Sequence, residues 1–135
     1  MAFAAGFGDS LWVTRDDLIQ IELDERERRL LRCGILEWGG PARCTDAMAI
    51  AIGFRSAADL LAQSDRLAGA VASGEAMSSL DWRRALLATE IAFASDVVGS
   101  GSDWSATTGL SDAVSLITLR SVQRKIIGDV RRRGD

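Results

Sequence analysis

Apolar positions along this chain recur mostly at helical spacing, and polar caps and glycine stops divide them into five segments. Asp24 with Glu27 three residues later forms a capping box, after which Leu23, Leu30, Leu31 and Trp38 share one face of a first helix. Gly39-Gly40-Pro41 ends it. Thr45 caps a second, short helix through Ile52 with Gly53 as its stop, and Ser56 with Asp59 opens a third through about Ala72, ended by Gly74. Ser78 or Ser79 starts a fourth helix, and Gly99-Ser-Gly-Ser102 stops it. Ser111 caps a fifth, whose stripe Leu116, Leu119, Val122, Ile126 and Val130 runs out to a triplet of arginines. Only Leu18-Ile-Gln-Ile-Glu-Leu23 alternates with a period of two. It belongs to an irregular N-terminal arm, residues 1–22, in which Phe3, Phe7, Leu11 and Trp12 lie among glycines.

The fourth segment, Leu80–Gly99, is the one expected at the centre. At 3.6 residues per turn, Leu86, Leu87, Phe93, Ala94, Val97 and Val98 fall within about a right angle of Glu90, so the carboxylate sits in an oily stripe. The opposite face carries Ala85, Ala88, Ala92, Ser95 and Gly99, small enough for a second helix to approach closely. A carboxylate so placed needs a partner or a purpose. Arg83, two turns earlier on nearly the same face, is the expected partner in a buried charge pair, whose breakage by Glu90→Ala costs about 3 to 5 kcal/mol. The functional alternative is a small-ligand or enzymatic pocket in which burial raises the Glu90 pKa.

These segments predict an all-α fold: a compact single-domain bundle of about five helices over 23–135, built around the fourth helix, with the arm packed on it. At 135 residues the chain is long enough for a core without metal or disulfide. No run approaches the about 20 apolar residues of a membrane helix, and the start carries no basic leader, so the expected location is the cytoplasm. Cys33 and Cys44 are then expected as free thiols. Histidine is absent, which excludes histidine-dependent triads, and two cysteines do not make a structural zinc site. No cofactor is implied. All but one of the sixteen basic residues are arginine, a usage typical of GC-rich bacterial coding sequences.

Charge narrows the partners. The net charge is −3 and the isoelectric point near 5.0, against the basic surface that binding to nucleic acid normally needs. Acidic residues gather in Asp16–Glu27, Asp59–Asp65 and Asp96–Asp112. The last of these spans a loop of small hydroxylated residues around a tryptophan, and Asp96, Asp103, Trp104 and Asp112 are the expected protein-binding surface for a basic partner, with tryptophan as its anchor. On this basis the chain is expected to be a non-enzymatic binding protein, possible in size and charge as an immunity- or antitoxin-type neutraliser. Thr45–Leu67 resembles a helix-turn-helix in outline, which implies a DNA-reading second helix with Arg55, Ser56, Ala57 and Asp59 at its start. Asp59 and Asp65 on that helix count against it. Trp38-Gly39-Gly40 matches the W-x-G pattern of secreted helical hairpins, but a buried tryptophan beside a glycine stop accounts for it.

Overall fold

The computed structural model describes residues 17–132, and Phe3, Phe7, Leu11, Trp12 and Arg133 lie outside them. Among the described residues the chain forms six α-helices: α1 (Glu25–Leu36), α2 (Asp46–Ile52), α3 (Ala57–Ser73), α4 (Ser79–Ala94), α5 (Trp104–Thr108) and α6 (Asp112–Arg132). The all-α bundle predicted from the helical spacing is what is found, with one more short helix.

The caps lie where the side chains placed them. Glu27 N donates to Asp24 Oδ1 and Asp24 N to Glu27 Oε1, both at 2.8 Å, so two orphan donors of α1 are satisfied reciprocally. Thr45, Ser56 and Ser78 cap α2, α3 and α4, while Gly53 and Gly74 end α2 and α3 in the left-handed conformation. Ser111 Oγ accepts from Val114 N at the start of α6.

The core is organised by α1 as much as by α4, since α1 packs on α3, α4 and α6. Leu30, Leu31 and Ile35 of α1 meet Leu60, Leu67 and Val71 of α3 and the small face of α4. The small face is the most buried side of α4, with Ala85, Ala88 and Ala92 sealed, whereas of the oily stripe only Leu86 is buried and Leu87, Glu90 and Phe93 are half-buried. Close backbone approach decides this. A Cβ added to Gly34 of α1 would lie 2.6 Å from Thr89 Cα, a spacing that only glycine against small residues permits.

Helix α4 also ends earlier than the expected Gly99. Ser95 turns extended at φ −95°, ψ 122°, and its hydroxyl accepts from Val97 N and Val98 N. The chain then folds back, with Ser100 N donating to Ala92 O at 2.7 Å. This satisfies a carbonyl that the helix end leaves open.

The alternating stretch is a short pairing. Leu18–Ile19 (β1) runs antiparallel to Met77–Ser78 (β2), and Ile19, Ile21 and Leu23 are buried while Gln20 and Glu22 face solvent. Each of the three described tryptophans has its indole N–H satisfied: Trp38 by Ala88 O, Trp82 by Ile19 O and Trp104 by Ser115 Oγ. No described helix is long and apolar enough to cross a membrane.

Candidate functional site

The expected surface falls on the connection between α4 and α6, and its local structure comes from its small polar residues. Glu37, in the 3-10 turn Glu37–Gly39 that follows α1, is buried and accepts hydrogen bonds from Ser100 Oγ and Thr107 Oγ1, both 2.6 Å. Arg43 N donates to Val98 O at 2.7 Å. Asp96 Oδ1 accepts from Ser102 N at 2.6 Å, closing a turn through Gly101 at φ +47°, where a Cβ would come within 2.6 Å of Asp96 Cα. The loop is therefore fixed from three sides, and its exposed points are held in place.

Asp96, Asp103 and Asp112 are exposed as expected. Trp104 is not: it is fully buried, its ring edge-on to Phe93 with centroids 5.5 Å apart, and its Nε1 donates to Ser115 Oγ at 2.8 Å. The expectation of a tryptophan anchor is corrected on that ground. The small residues around Trp104 cannot fill the seam between α4 and α6, so the indole fills it and the polar residues wrap outside. The apolar group that the loop does present is Val97, 75% exposed in the turn after α4. Sequence reasoning missed it because a helix continued to Gly99 puts Val97 on the oily stripe beside Glu90.

Glu90 and Arg83 are not brought together. Glu90 is half-buried and its Oε2 accepts from Gln123 Nε2 at 2.6 Å, while Arg83 is exposed, and no ion pair joins the two among the described residues. Seven residues of helix separate the two by about 10 Å along the axis. A different carboxylate, that of Glu27, is the buried one with a cationic partner. Glu27 of α1, 2% exposed, accepts from Lys125 Nζ at 2.6 Å, Ser121 Oγ at 2.6 Å and Asp24 N. Burial pushes its pKa up, but the bonds from Lys125, Ser121 and the Asp24 amide and the ammonium charge together hold it below the ordinary carboxylate range. The capping box had already singled out Glu27, but nothing in the spacing connects it to Lys125.

The other candidate positions are structural in their contacts. Burial raises the pKa of both half-buried thiols, Cys33 and Cys44, with Asp46 adding to it at Cys44, and both are free. This leaves them poor nucleophiles. Glu90 lines neither the enclosed void of about 10 Å³ between α1, α3 and α4, room for one water at most, nor the open hollow on α6. In the α2–α3 corner, Asp59 accepts from Arg55 N at 2.9 Å and pairs with its guanidinium, and Asp46 accepts from Ala57 N. Carboxylates thus occupy the end of α3 that a DNA-reading helix would turn to phosphate. No group of three or more metal-ligating side chains occurs among the described residues. In comparison with known proteins, no family model, no curated protein and no solved structure matches this chain.

Proposed function

We propose that this protein is a non-enzymatic binding module that engages a partner protein with a basic contact surface through the loop 95–103, with Asp112 at the same end of the bundle. The observation that carries this is Val97, the most exposed large apolar side chain described, set in a hydrogen-bonded turn that directly follows the exposed Asp96 and precedes the exposed Asp103 in the same loop. An apolar tip with a charged rim is the ordinary anatomy of a small interface. A loop already fixed in shape loses little conformational freedom on binding. The acidic residues of the loop would speed encounter with a basic contact surface and make it salt-sensitive. A neutraliser of immunity or antitoxin type is one form such a module takes.

The test is affinity capture with the tagged protein in extracts of its own cell, at low and high salt, beside a Val97→Lys, Asp103→Lys double variant. A basic protein held by the wild type at low salt and lost from the variant supports the proposal. Duplex DNA retained equally by both would overturn it and point to the α2–α3 corner.

A further inference from the structure

The far end of α6 carries the complement of this loop. Gln123, Arg124, Ile127, Gly128 and Arg131 line an open hollow of about 400 Å³. Its apolar lining is Ile127, and beside it a Cβ added to Gly128 would meet nothing nearer than Arg132 Nη1 at 3.8 Å. Arg124 and Arg131, seven residues apart and both exposed, belong to the same lining, and neither guanidinium is in an ion pair among the described residues. Arg132, by contrast, is paired with Asp129. Nothing packed in the fold requires glycine at 128, and glycine weakens a helix interior. The loop carries an exposed apolar tip and two exposed acidic residues, and the hollow has an apolar stretch and two exposed arginines among its lining.

The two surfaces face opposite ends of the molecule. Helices α4 and α6 run antiparallel, since Phe93 meets Trp104 over Ser115 while Glu90 meets Gln123 further along. The loop therefore lies at the N-terminal end of α6, and the hollow begins at Gln123, about 17 Å further on at helical rise. One chain cannot join its own tip to its own hollow.

We propose that a second copy of this chain is the occupant: the Val97 tip of one copy seats over Ile127 and Gly128 of the next, with Asp96 and Asp103 opposite Arg124 and Arg131. This rests on the docking role of the loop 95–103 and commits that loop to a partner. The contact is heterologous, so it propagates head to tail rather than closing as a symmetric dimer. Its charged rims weaken it as salt rises.

The test is sedimentation of the full chain at rising concentration, with Val97→Lys as the tip variant and Gly128→Glu as the hollow variant, each checked for a cooperative melt, which Gly128→Glu is expected to leave unchanged or raise. The wild type is expected to rise from the mass of one chain, 14.5 kDa, to successive multiples, less so at high salt. Each variant alone stays at one chain. Their mixture restores one intact contact, tip from one and hollow from the other, and stops at two chains. A wild type that stays monomeric at every concentration, or variants that assemble as it does, would overturn the proposal. A monomeric wild type that still captures a basic protein through Val97 leaves the docking role of the loop standing, and loss of both removes the two together.

Discussion

Lys125 Nζ donates a 2.6 Å hydrogen bond to Glu27 Oε1, and this contact ties the C-terminal half of α6 to the first turn of α1. The carboxylate is sealed while the lysine side chain keeps 41% exposure. Glu27→Ala removes the acceptor for Ser121 and Lys125 and half of the capping box. The expected loss is about 2 to 3 kcal/mol, less than for a wholly buried pair because water reaches the ammonium. Urea denaturation of the variant beside the wild type measures it.

The same carboxylate gives the stability its acid dependence. The folded-state pKa of Glu27 is depressed by Lys125, Ser121 and the Asp24 amide against the opposing effect of burial, and that of Asp59 by the Arg55 amide, with Gln63 and the arginines helping against burial. A depressed pKa contributes stability that is fully present above the unfolded value, about 4.3 for glutamate and 3.9 for aspartate, and is lost as pH falls through the folded value. The melting temperature is therefore expected to be flat near neutrality and to fall in acid below that range. Glu27→Gln should flatten this acid limb, and an unchanged limb would assign the dependence to other groups.

Trp104 separates a core residue from a surface anchor. Trp104→Ala is expected to cost about 3 to 5 kcal/mol, the range for a large buried aromatic, because it empties the seam beside Phe93 and leaves Ser115 without its donor. Val97→Ala, at the exposed tip, should change stability by no more than about 0.5 kcal/mol. Paired thermal melts compare the two.

Glu90→Ala is expected to cost about 1 kcal/mol, the worth of an ordinary hydrogen bond to Gln123, because the carboxylate is half-buried and its partner is neutral. A loss near the 3 to 5 kcal/mol range of a broken buried ion pair would restore the charge-pair account. Calorimetric unfolding distinguishes the two values.

Helix starts and stops were legible because capping chemistry is local: Asp24, Thr45, Ser56, Ser78 and the stops at Gly53 and Gly74 all act within four residues. What was not legible depends on contacts distant in sequence. The burial of α4 on its alanine face follows from Gly34 meeting Thr89, 55 positions away, and the sealed state of Trp104 from Phe93 and Ser115. On α6 the buried stripe runs through Ser115, Thr118, Leu119, Val122, Ile126 and Val130, leaving Leu116 at 49% exposure. Two small hydroxyl residues packed against neighbours shifted the phase that apolar spacing alone indicated. The loop's acidic character was readable from composition, but its apolar tip was not, because Val97 falls outside the helix only once Ser95 turns the chain.

The most direct measurement is photo-crosslinking from position 97 in the native cell, with the same reactive group placed at Ala62 on the exposed face of α3 as the control. An adduct is expected from position 97 that is lost when Asp103 is reversed to lysine, and none from position 62. No adduct at 97, or equal adducts from both positions, would contradict a docking role for the loop.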